Sequence, residues 1–314
     1  MQEREILRVW LPFAVAVTVG GLGASGLALS FEGAGPQIGI CAICLLVGCF
    51  YKGGSATFTN RMTAALHSIT SLGTVSILGG AISYATARLS NGYVDSNLAW
   101  IDSISGLSWM HYWKFVHDHA IISNILTIGY LSIFIWPAIM LTALCLLGHE
   151  RAAYRLILAF AVSLILTDII FLALPSKSAA IFFLGDGAAD LPPAGSMHIP
   201  IIEALRSGTL NQIPIGHLTG LINFPSFHAA SAALFIWASW MVRWIRYPSL
   251  VINSAMLAAT PVNGGHFFID LVAGVAVAGI GISFVSPAVR LPKFSEKAFP
   301  RISKKVAGKL DQLA

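Results

Sequence analysis

Long apolar runs separated by shorter polar segments dominate the hydrophobic pattern along the chain. An α-helix needs about 20 apolar residues to cross the hydrocarbon core of a bilayer. Eight membrane spans are therefore predicted, at residues 9–29, 38–51, 62–87, 121–147, 156–174, 227–242, 249–262 and 267–285. The second and seventh are short, and we expect them to be tilted or to have polar ends against other helices.

The composition agrees with a membrane location. Of the 314 residues, 56% are hydrophobic and 11% are charged, whereas about a quarter of the residues of a soluble domain are charged. No clean cleavage site of small residues follows the first apolar run, so it is expected to be a retained helix rather than a signal peptide. The predicted fold is all-α, a polytopic membrane protein with about eight transmembrane helices.

The distribution of basic residues predicts the orientation. If the N-terminus is cytoplasmic and the spans alternate, all of the 19 basic residues except Arg88, Lys114, Lys177 and Arg206 fall in cytoplasmic segments. This bias predicts cytoplasmic N- and C-termini. A bacterial inner membrane with a periplasmic site is expected, although a eukaryotic lumenal face fits the same pattern. The basic tail, residues 290–314, is expected to lie on anionic lipid.

In this topology, two histidines and one aspartate lie at the outer ends of predicted helices. His228 opens the sixth span within NFPSFHAASA, and His266 opens the eighth within TPVNGGHFFID. Asp270 follows His266 by four residues, which puts both side chains on one helix face. An ionisable residue inside a span needs a partner, and His266 is the predicted partner of Asp270.

This trio suits phosphoryl transfer. Asp270 can accept a hydrogen bond from one nitrogen of His266, which leaves the other nitrogen as a nucleophile toward phosphorus. His228 can then protonate the leaving alkoxide. Asn263, Gly264 and Gly265 leave backbone N–H groups near a helix N-terminus, which suits a phosphate group.

The segments PSFH and HFFID resemble the second and third motifs of the type-2 phosphatidic acid phosphatases. That superfamily includes lipid phosphate phosphatases and inositol phosphorylceramide synthases. The resemblance covers roughly residues 120–286 and implies a six-helix phosphatase core. It also implies that His266 is the nucleophile, Asp270 its orienting group, His228 the acid and Ser226 a hydrogen-bond donor to phosphate.

Three positions depart from the family pattern. Phe227 stands where the usual PSGH motif has glycine, Thr260 stands where an arginine is common, and the KxxxxxxRP motif is absent. The phosphate-binding cations must then come from elsewhere on the outer side, and Lys177 and Arg206 are the candidates. Arg206 is favoured because its RSG segment is similar to what the subgroup resembling inositol phosphorylceramide synthases is expected to carry.

Several polar residues also have simpler interpretations. Ser226 is a good N-cap for the sixth span and could serve only in that way. Asp168, in the fifth span, is expected to bond to a neighbouring helix through His67 or a Ser or Thr rather than to relay protons. Residues 95–119 mix aromatic and polar side chains at helical spacing, which predicts a pair of interfacial helices.

The long outer loop contains His198 and His217, which are expected to be solvated. These two residues could bind zinc together with Asp186 or Asp190, but the spacing fits no recurrent metal motif, so a zinc site is not predicted. Neither a metal nor another cofactor is predicted.

These observations predict an enzyme with three regions. Residues 1–61 hold two N-terminal helices, residues 62–289 the catalytic core with its outer loops, and residues 290–314 the tail. The predicted reaction is metal-independent hydrolysis of a lipid phosphomonoester or pyrophosphate. The alternatives are a phosphotransferase with an alcohol acceptor and a non-enzymatic transporter or scaffold. The expected partners are the lipid phosphate substrate and membrane lipids, with no nucleic acid, and the oligomeric state is left open.

Overall fold

A computed structural model describes residues 14–15, 17–35, 39, 56–185 and 192–285. All but one residue of the second predicted span lies outside these ranges, as do the start of the first span and the basic tail. The division of the chain into three regions therefore stays a prediction. Helices hold 77% of the described residues, which agrees with the predicted all-α class.

Residues 17–24 are helical and lead into a short strand, and the helices that follow are numbered from α1. The elements are β1 (Ala28–Ser30), α1 (Ala56–Leu89), α2 (Asp95–Ile104), α3 (Trp109–His117), α4 (Ala120–Leu131), α5 (Trp136–Leu146), α6 (Glu150–Ala173), α7 (Ala179–Leu184), α8 (Pro193–Ser196), α9 (His198–Arg206), β2 (Gln212–Pro214), α10 (Phe227–Ser239), α11 (Arg243–Asn263) and α12 (Phe268–Val285). The strands β1 and β2 form a parallel pair, with Leu29 opposite Ile213.

Among the described residues, α1, α6 and α12 are long and apolar enough to cross a membrane. They identify the chain as a membrane protein. The apolar helix α10 has 13 residues, fewer than a span normally needs. The full count of eight spans and the six-helix core stay predictions.

The predicted fourth span, residues 121–147, is not one straight helix. It consists of α4, a turn of 3-10 helix (Ser132–Phe134) and α5, with a bend of 56° between its two parts. Pro137 lies in the first turn of α5. Proline has no backbone N–H to donate to a carbonyl oxygen of the preceding turn, which explains why the helix restarts there. If the pair crosses the bilayer together, it is a fourth span.

Helix α6 lies in the middle of the bundle and packs on α1, α10 and α12. Its residues Leu156, Ile157 and Ala159 are fully buried in the main hydrophobic cluster. On α12, a Cβ atom at Gly274 would clash with the Ser226 carbonyl oxygen, and one at Gly281 would clash with the Ser163 hydroxyl. Glycine at these two positions lets α12 approach α10 and α6 closely, as is common in membrane helices.

All the short helices between α1 and α10 except α4 and α5 gather at one end of the bundle, which we call the site end. There α1, α6 and α11 finish, and α4, α10 and α12 begin. The prediction of a helix pair in residues 95–119 is confirmed by α2 and α3, which we call the outer hairpin. The outer hairpin exposes five large apolar side chains: Trp100, Ile104, Leu107, Met110 and Phe115.

Candidate active site

The turn between α11 and α12, residues 263–267, carries His266 and is fixed through its backbone. Gly265 has a φ of +66°, a conformation that favours glycine. Its carbonyl oxygen accepts hydrogen bonds from the backbone N–H of Ala179 at 2.7 Å and from the Ser178 hydroxyl at 2.9 Å. The side-chain amide of Asn223 approaches the same oxygen at 3.4 Å. We call residues 263–267 the nucleophile turn.

His266 and Asp270 meet as their spacing predicts. The distance from His266 Nδ1 to Asp270 Oδ2 is 3.2 Å, and the backbone N–H of Phe267 donates to the same carboxylate oxygen at 2.9 Å. Both side chains are buried, with 4% and 0% of their surface exposed. Because a carboxylate accepts from the Nδ1 hydrogen, the Nε2 lone pair is left free for chemistry.

Ser226 joins this pair to the start of α10. Its hydroxyl lies 3.5 Å from His266 Nε2, and its backbone N–H donates to the Asp270 carbonyl oxygen at 3.0 Å. The same hydroxyl accepts from the backbone N–H of Ala229, so Ser226 is also the N-cap of α10, as predicted. Ser226 therefore links the cap of α10 to the Nε2 atom of His266 in the turn before α12.

His228 is the second residue of α10, two positions after Ser226. Its ring stacks on Tyr130 of α4, with the centroids 4.3 Å apart and the planes at 14°. The Tyr130 hydroxyl reaches Gly264, whose added Cβ would lie 3.1 Å from that oxygen. Tyr130 is thus a site residue that the sequence did not reveal, since a tyrosine within an apolar run carries no special signal.

Burial lowers the pKa of His266 to about 4, and a backbone hydrogen bond with Asn223 opposes that shift. The ring is therefore neutral near pH 7, which is the form that has a lone pair to attack with. The desolvated surroundings thus favour the neutral form of the ring over the cation.

Lys177 and Arg206 meet on one aromatic ring, and we call them with Tyr93 the cation cluster. The Lys177 ammonium lies 5.2 Å from the Tyr93 ring centroid, and the Arg206 guanidinium carbon lies 4.5 Å from it. Arg206 also donates to the Ser90 hydroxyl at 2.8 Å and contacts carbonyl oxygens near the end of α1. An open cavity of about 280 Å³ lies beside the cluster, lined by Lys177, Tyr93, Asp95, Ser96, Ile181 and Phe182.

The expectation of a solvated His198 is wrong. His198 is only 1% exposed, and its Nε2 atom makes a short hydrogen bond with the Lys177 carbonyl oxygen. Burial lowers the pKa of His198 to about 4. Its burial could not be predicted, because its partner Lys177 lies 21 positions away in another segment. His217, in contrast, is exposed as expected.

The described residues contain no group of three or more His, Cys, Asp or Glu side chains arranged to hold a metal. Asp186 and Asp190 lie outside the described residues.

The departures from the family motifs have structural explanations. Phe227 packs edge-on against Phe160, with the centroids 4.8 Å apart, so an apolar side chain replaces the usual glycine by filling space against α6. Thr260 is fully buried, and its hydroxyl donates to the Met256 carbonyl oxygen at 2.7 Å within α11. An arginine at that position would have to bury its charge in the bundle.

Asp168 does not make the predicted interhelical hydrogen bond. Both carboxylate oxygens are buried and lack a hydrogen-bond partner among the described residues. The carboxylate borders a small apolar cavity between α1, α6 and residues 14–18. It lies apart from the residues gathered around His266.

Comparison with known proteins places the chain in a family. A family model described as the PAP2 superfamily matches residues 96–284, more than half of the chain. The match begins earlier than the resemblance of residues 120–286 and takes in most of α2. No curated protein and no solved structure matches the chain. The match indicates phosphatase-type activity, and the chain belongs to the PAP2 superfamily.

Proposed function

We propose that this protein is a membrane-embedded lipid phosphate phosphatase that works through a phosphohistidine on His266. The observation that carries the proposal is the hydrogen bond between His266 Nδ1 and Asp270 Oδ2 at 3.2 Å. It holds the ring with Nε2 beside Ser226 and near His228. A buried nitrogen nucleophile, its orienting carboxylate and a second histidine together provide what phosphoryl transfer requires.

In the first step, the Nε2 lone pair of His266 attacks phosphorus, and the bond from phosphorus to the lipid oxygen breaks. The electron pair of that bond leaves with the lipid alkoxide, and His228 supplies the proton that makes it an alcohol. Asp270 stabilises the positive charge that develops on the His266 ring. The products of this step are the lipid alcohol and phosphohistidine.

In the second step, water attacks the phosphorus of phosphohistidine. His228, neutral after the first step, takes a proton from that water, and the phosphorus–nitrogen bond breaks. Inorganic phosphate leaves, and the electron pair returns to His266 Nε2. The same histidine thus acts first as an acid and then as a base, which restores the starting state.

The negative charge of the phosphate needs donors and cations. The Ser226 hydroxyl, 3.5 Å from the attacking nitrogen, is placed to donate to a phosphate oxygen. Lys177 and Arg206 supply positive charge from the cation cluster, whose neighbouring cavity has room for a headgroup. The Gly265 backbone N–H remains the predicted additional donor. Charge-assisted hydrogen bonds of this kind are the stronger ones.

The site end is proposed to face the outside of the cell or the corresponding lumen. The basic residues of the opposite bundle end lie at the starts of α1, α6 and α11: Arg61, Arg151, Arg155, Arg243 and Arg246. Cytoplasmic loops carry such an excess of basic residues. A substrate could keep its apolar tail in the outer leaflet while its headgroup reaches His266. A bacterial inner membrane with a periplasmic site fits this arrangement.

The proposal is tested with purified protein in lipid nanodiscs and a panel of lipid phosphates. The panel contains phosphatidic acid, an isoprenoid phosphate, an isoprenoid pyrophosphate and phosphatidylglycerol phosphate, each assayed with and without EDTA. We expect phosphate release from at least one substrate, retained in EDTA and abolished in His266→Ala. The exposed His217 offers a matched control, and His217→Ala should keep full activity.

Trapping the intermediate makes the test specific. With ³²P-labelled substrate, a rapid quench should yield label on the wild-type protein that is stable in base and lost in acid, as expected for a phosphoramidate. The label should be absent from His266→Ala. Strict dependence on metal, or equal activity in His266→Ala and wild type, contradicts the mechanism. Adding an alcohol such as inositol shows whether the label moves to that acceptor rather than to water.

A further inference from the structure

Side chains of the outer hairpin form hydrogen bonds with the backbone on both sides of the nucleophile turn. On the α11 side, the buried Trp109 indole N–H donates to the Pro261 carbonyl oxygen at 2.9 Å. The Tyr112 hydroxyl donates to the Ala258 carbonyl oxygen at 2.8 Å. These carbonyl groups belong to the last turns of α11, so α3 fixes the helix end that leads into the turn.

On the α12 side, the contact comes from Asp102 in α2. One carboxylate oxygen accepts from the backbone N–H of Phe268 at 2.8 Å, and the other accepts from that of Ile269 at 2.9 Å. First-turn N–H groups have no partner within their own helix. A side chain before the helix usually caps them, but Phe267 precedes α12 and has no oxygen to offer. The cap is therefore supplied from α2.

The other end of α2 supports the turn indirectly. Asp95 accepts hydrogen bonds from the Ser176 hydroxyl at 3.0 Å and from the backbone N–H of Ser178 at 3.1 Å. The Ser178 hydroxyl in turn donates to the Gly265 carbonyl oxygen at 2.9 Å. His266 is thus bracketed, with Gly265 fixed through Asp95 and the first turn of α12 fixed by Asp102.

We propose that Asp102 is a positioning residue that sets Asp270 against His266. Asp270 lies in the same first turn of α12 as the two N–H groups that Asp102 holds. A carboxylate at this point also matches the positive end of the helix dipole. The inference rests on the proposed role of His266 as the nucleophile, and Asp102 itself touches neither the substrate nor the reacting atoms.

The first test uses Asp102→Asn, which keeps the size of the side chain but turns one acceptor into a donor facing an N–H group. The matched control is Asp118→Asn, which makes the same charge change at an exposed position just after α3. We expect Asp102→Asn to lower kcat per folded molecule by about tenfold to a hundredfold with little change in KM, since small displacements of reacting groups cost this much. The control should match wild type.

A purely structural role gives a different result. It predicts a lower unfolding temperature for Asp102→Asn with unchanged kcat per folded molecule, and that result overturns the proposal. If Asp102→Asn does not fold, Asp102→Glu provides the test, because it keeps the carboxylate on a longer arm. We expect Asp102→Glu to fold with a measurable reduction in kcat, and wild-type kcat in a folded Asp102→Glu variant counts against the proposal.

A second readout does not depend on turnover. Histidine ¹⁵N NMR reports which ring nitrogen carries the hydrogen, and His266→Ala identifies the signal. Wild type and Asp118→Asn should show His266 with its hydrogen on Nδ1, and Asp102→Asn should show a mixture of both tautomers. An unchanged tautomer in Asp102→Asn overturns the positioning role. If instead no lipid phosphate is hydrolysed while the tautomer shifts, the proposed function fails and the positioning of His266 stands.

Discussion

Backbone hydrogen bonds fix the nucleophile turn, whereas the cation cluster depends on two long side chains that lie on one ring. The Gly265 carbonyl oxygen and the N–H groups of Phe268 and Ile269 all have partners within 3 Å from other segments. Lys177 and Arg206 instead reach Tyr93 across contacts of 4.5–5.2 Å. The first region is thus held through its backbone and the second through its side chains, of which Arg206 also donates a hydrogen bond to Ser90.

This difference matches what the proposed mechanism requires of each region. A nitrogen lone pair must point at phosphorus, and in-line attack tolerates little misplacement. The attraction between a cation and a phosphate depends on distance and surroundings but much less on direction. Substitutions around His266 should therefore lower kcat, while substitutions in the cation cluster should mainly raise KM.

The largest effect is expected from Asp270→Asn. An amide can present its NH₂ group to His266 and so favour the wrong tautomer, which in catalytic triads costs about 10⁴ in kcat. We expect a loss of about 10³-fold or more, measured as phosphate release in nanodiscs. Asp168→Asn is the matched control, because it neutralises another buried carboxylate, and it should keep activity. A loss below tenfold in Asp270→Asn would show that the orienting bond is dispensable.

His228→Ala should come next, and its effect should depend on the leaving group. General acid catalysis contributes about 10²- to 10⁴-fold, so we expect a loss in this range with a lipid alkoxide as the leaving group. The nitrophenolate released from nitrophenyl phosphate leaves without protonation, so with this substrate the loss should be smaller by at least about tenfold. Equal losses with both substrates would assign His228 a role other than proton donation.

Arg206→Ala should act mainly on binding and raise KM by about tenfold, the scale of one charge-assisted hydrogen bond. Arg206→Lys should recover only part of this, because lysine keeps the charge but loses the planar fork. Arg88→Ala is the control, since Arg88 lies at the same end of the bundle and bonds to Asn211 instead. A drop in kcat without a change in KM would instead indicate that Arg206 helps to position the reacting groups. Unfolding temperatures show whether the loss of its hydrogen bonds at the end of α1 also destabilises the fold.

The smallest effect is expected in the dependence of stability on pH. The pKa of His266 is lowered to about 4 in the folded protein, below the ordinary value of about 6.5. Between these values the unfolded chain binds a proton that the folded chain does not, so stability falls as the pH drops from about 6.5 toward 4. The unfolding temperature of wild type should decrease more steeply over this range than that of His266→Asn. Parallel curves would show that His266 does not contribute.

The spacing of residues in the sequence was enough to predict the contact between His266 and Asp270, because four residues make one helical turn. The N-cap role of Ser226 was predictable for the same reason, since capping is local. The broken span was not predicted, although Pro137 was visible, because no charged residue divides the run from residue 121 to 147. Local patterns thus predicted local contacts but did not predict this bend.

Contacts between segments that are distant in the sequence could not be predicted from it. Asp102 and Phe268 are separated by 166 positions, and nothing in either segment marks them as partners. Tyr130 of α4 stacks on His228 of α10, and the buried His198 ring contacts the Lys177 carbonyl oxygen. The contact between His266 and Asp270 was therefore predictable, while the residues that surround this pair required the structure.

The exposed apolar side chains of the outer hairpin have a consequence for handling the protein. Trp100 and Ile104 are 61% and 63% exposed, and the same helix holds the start of α12 through Asp102. Such side chains are typical of the boundary between lipid headgroups and acyl chains. Detergent extraction would replace that boundary with a curved and mobile micelle. We therefore expect the geometry around His266 to depend in part on the surrounding bilayer, and turnover to respond to the choice of lipid even when the substrate is held constant.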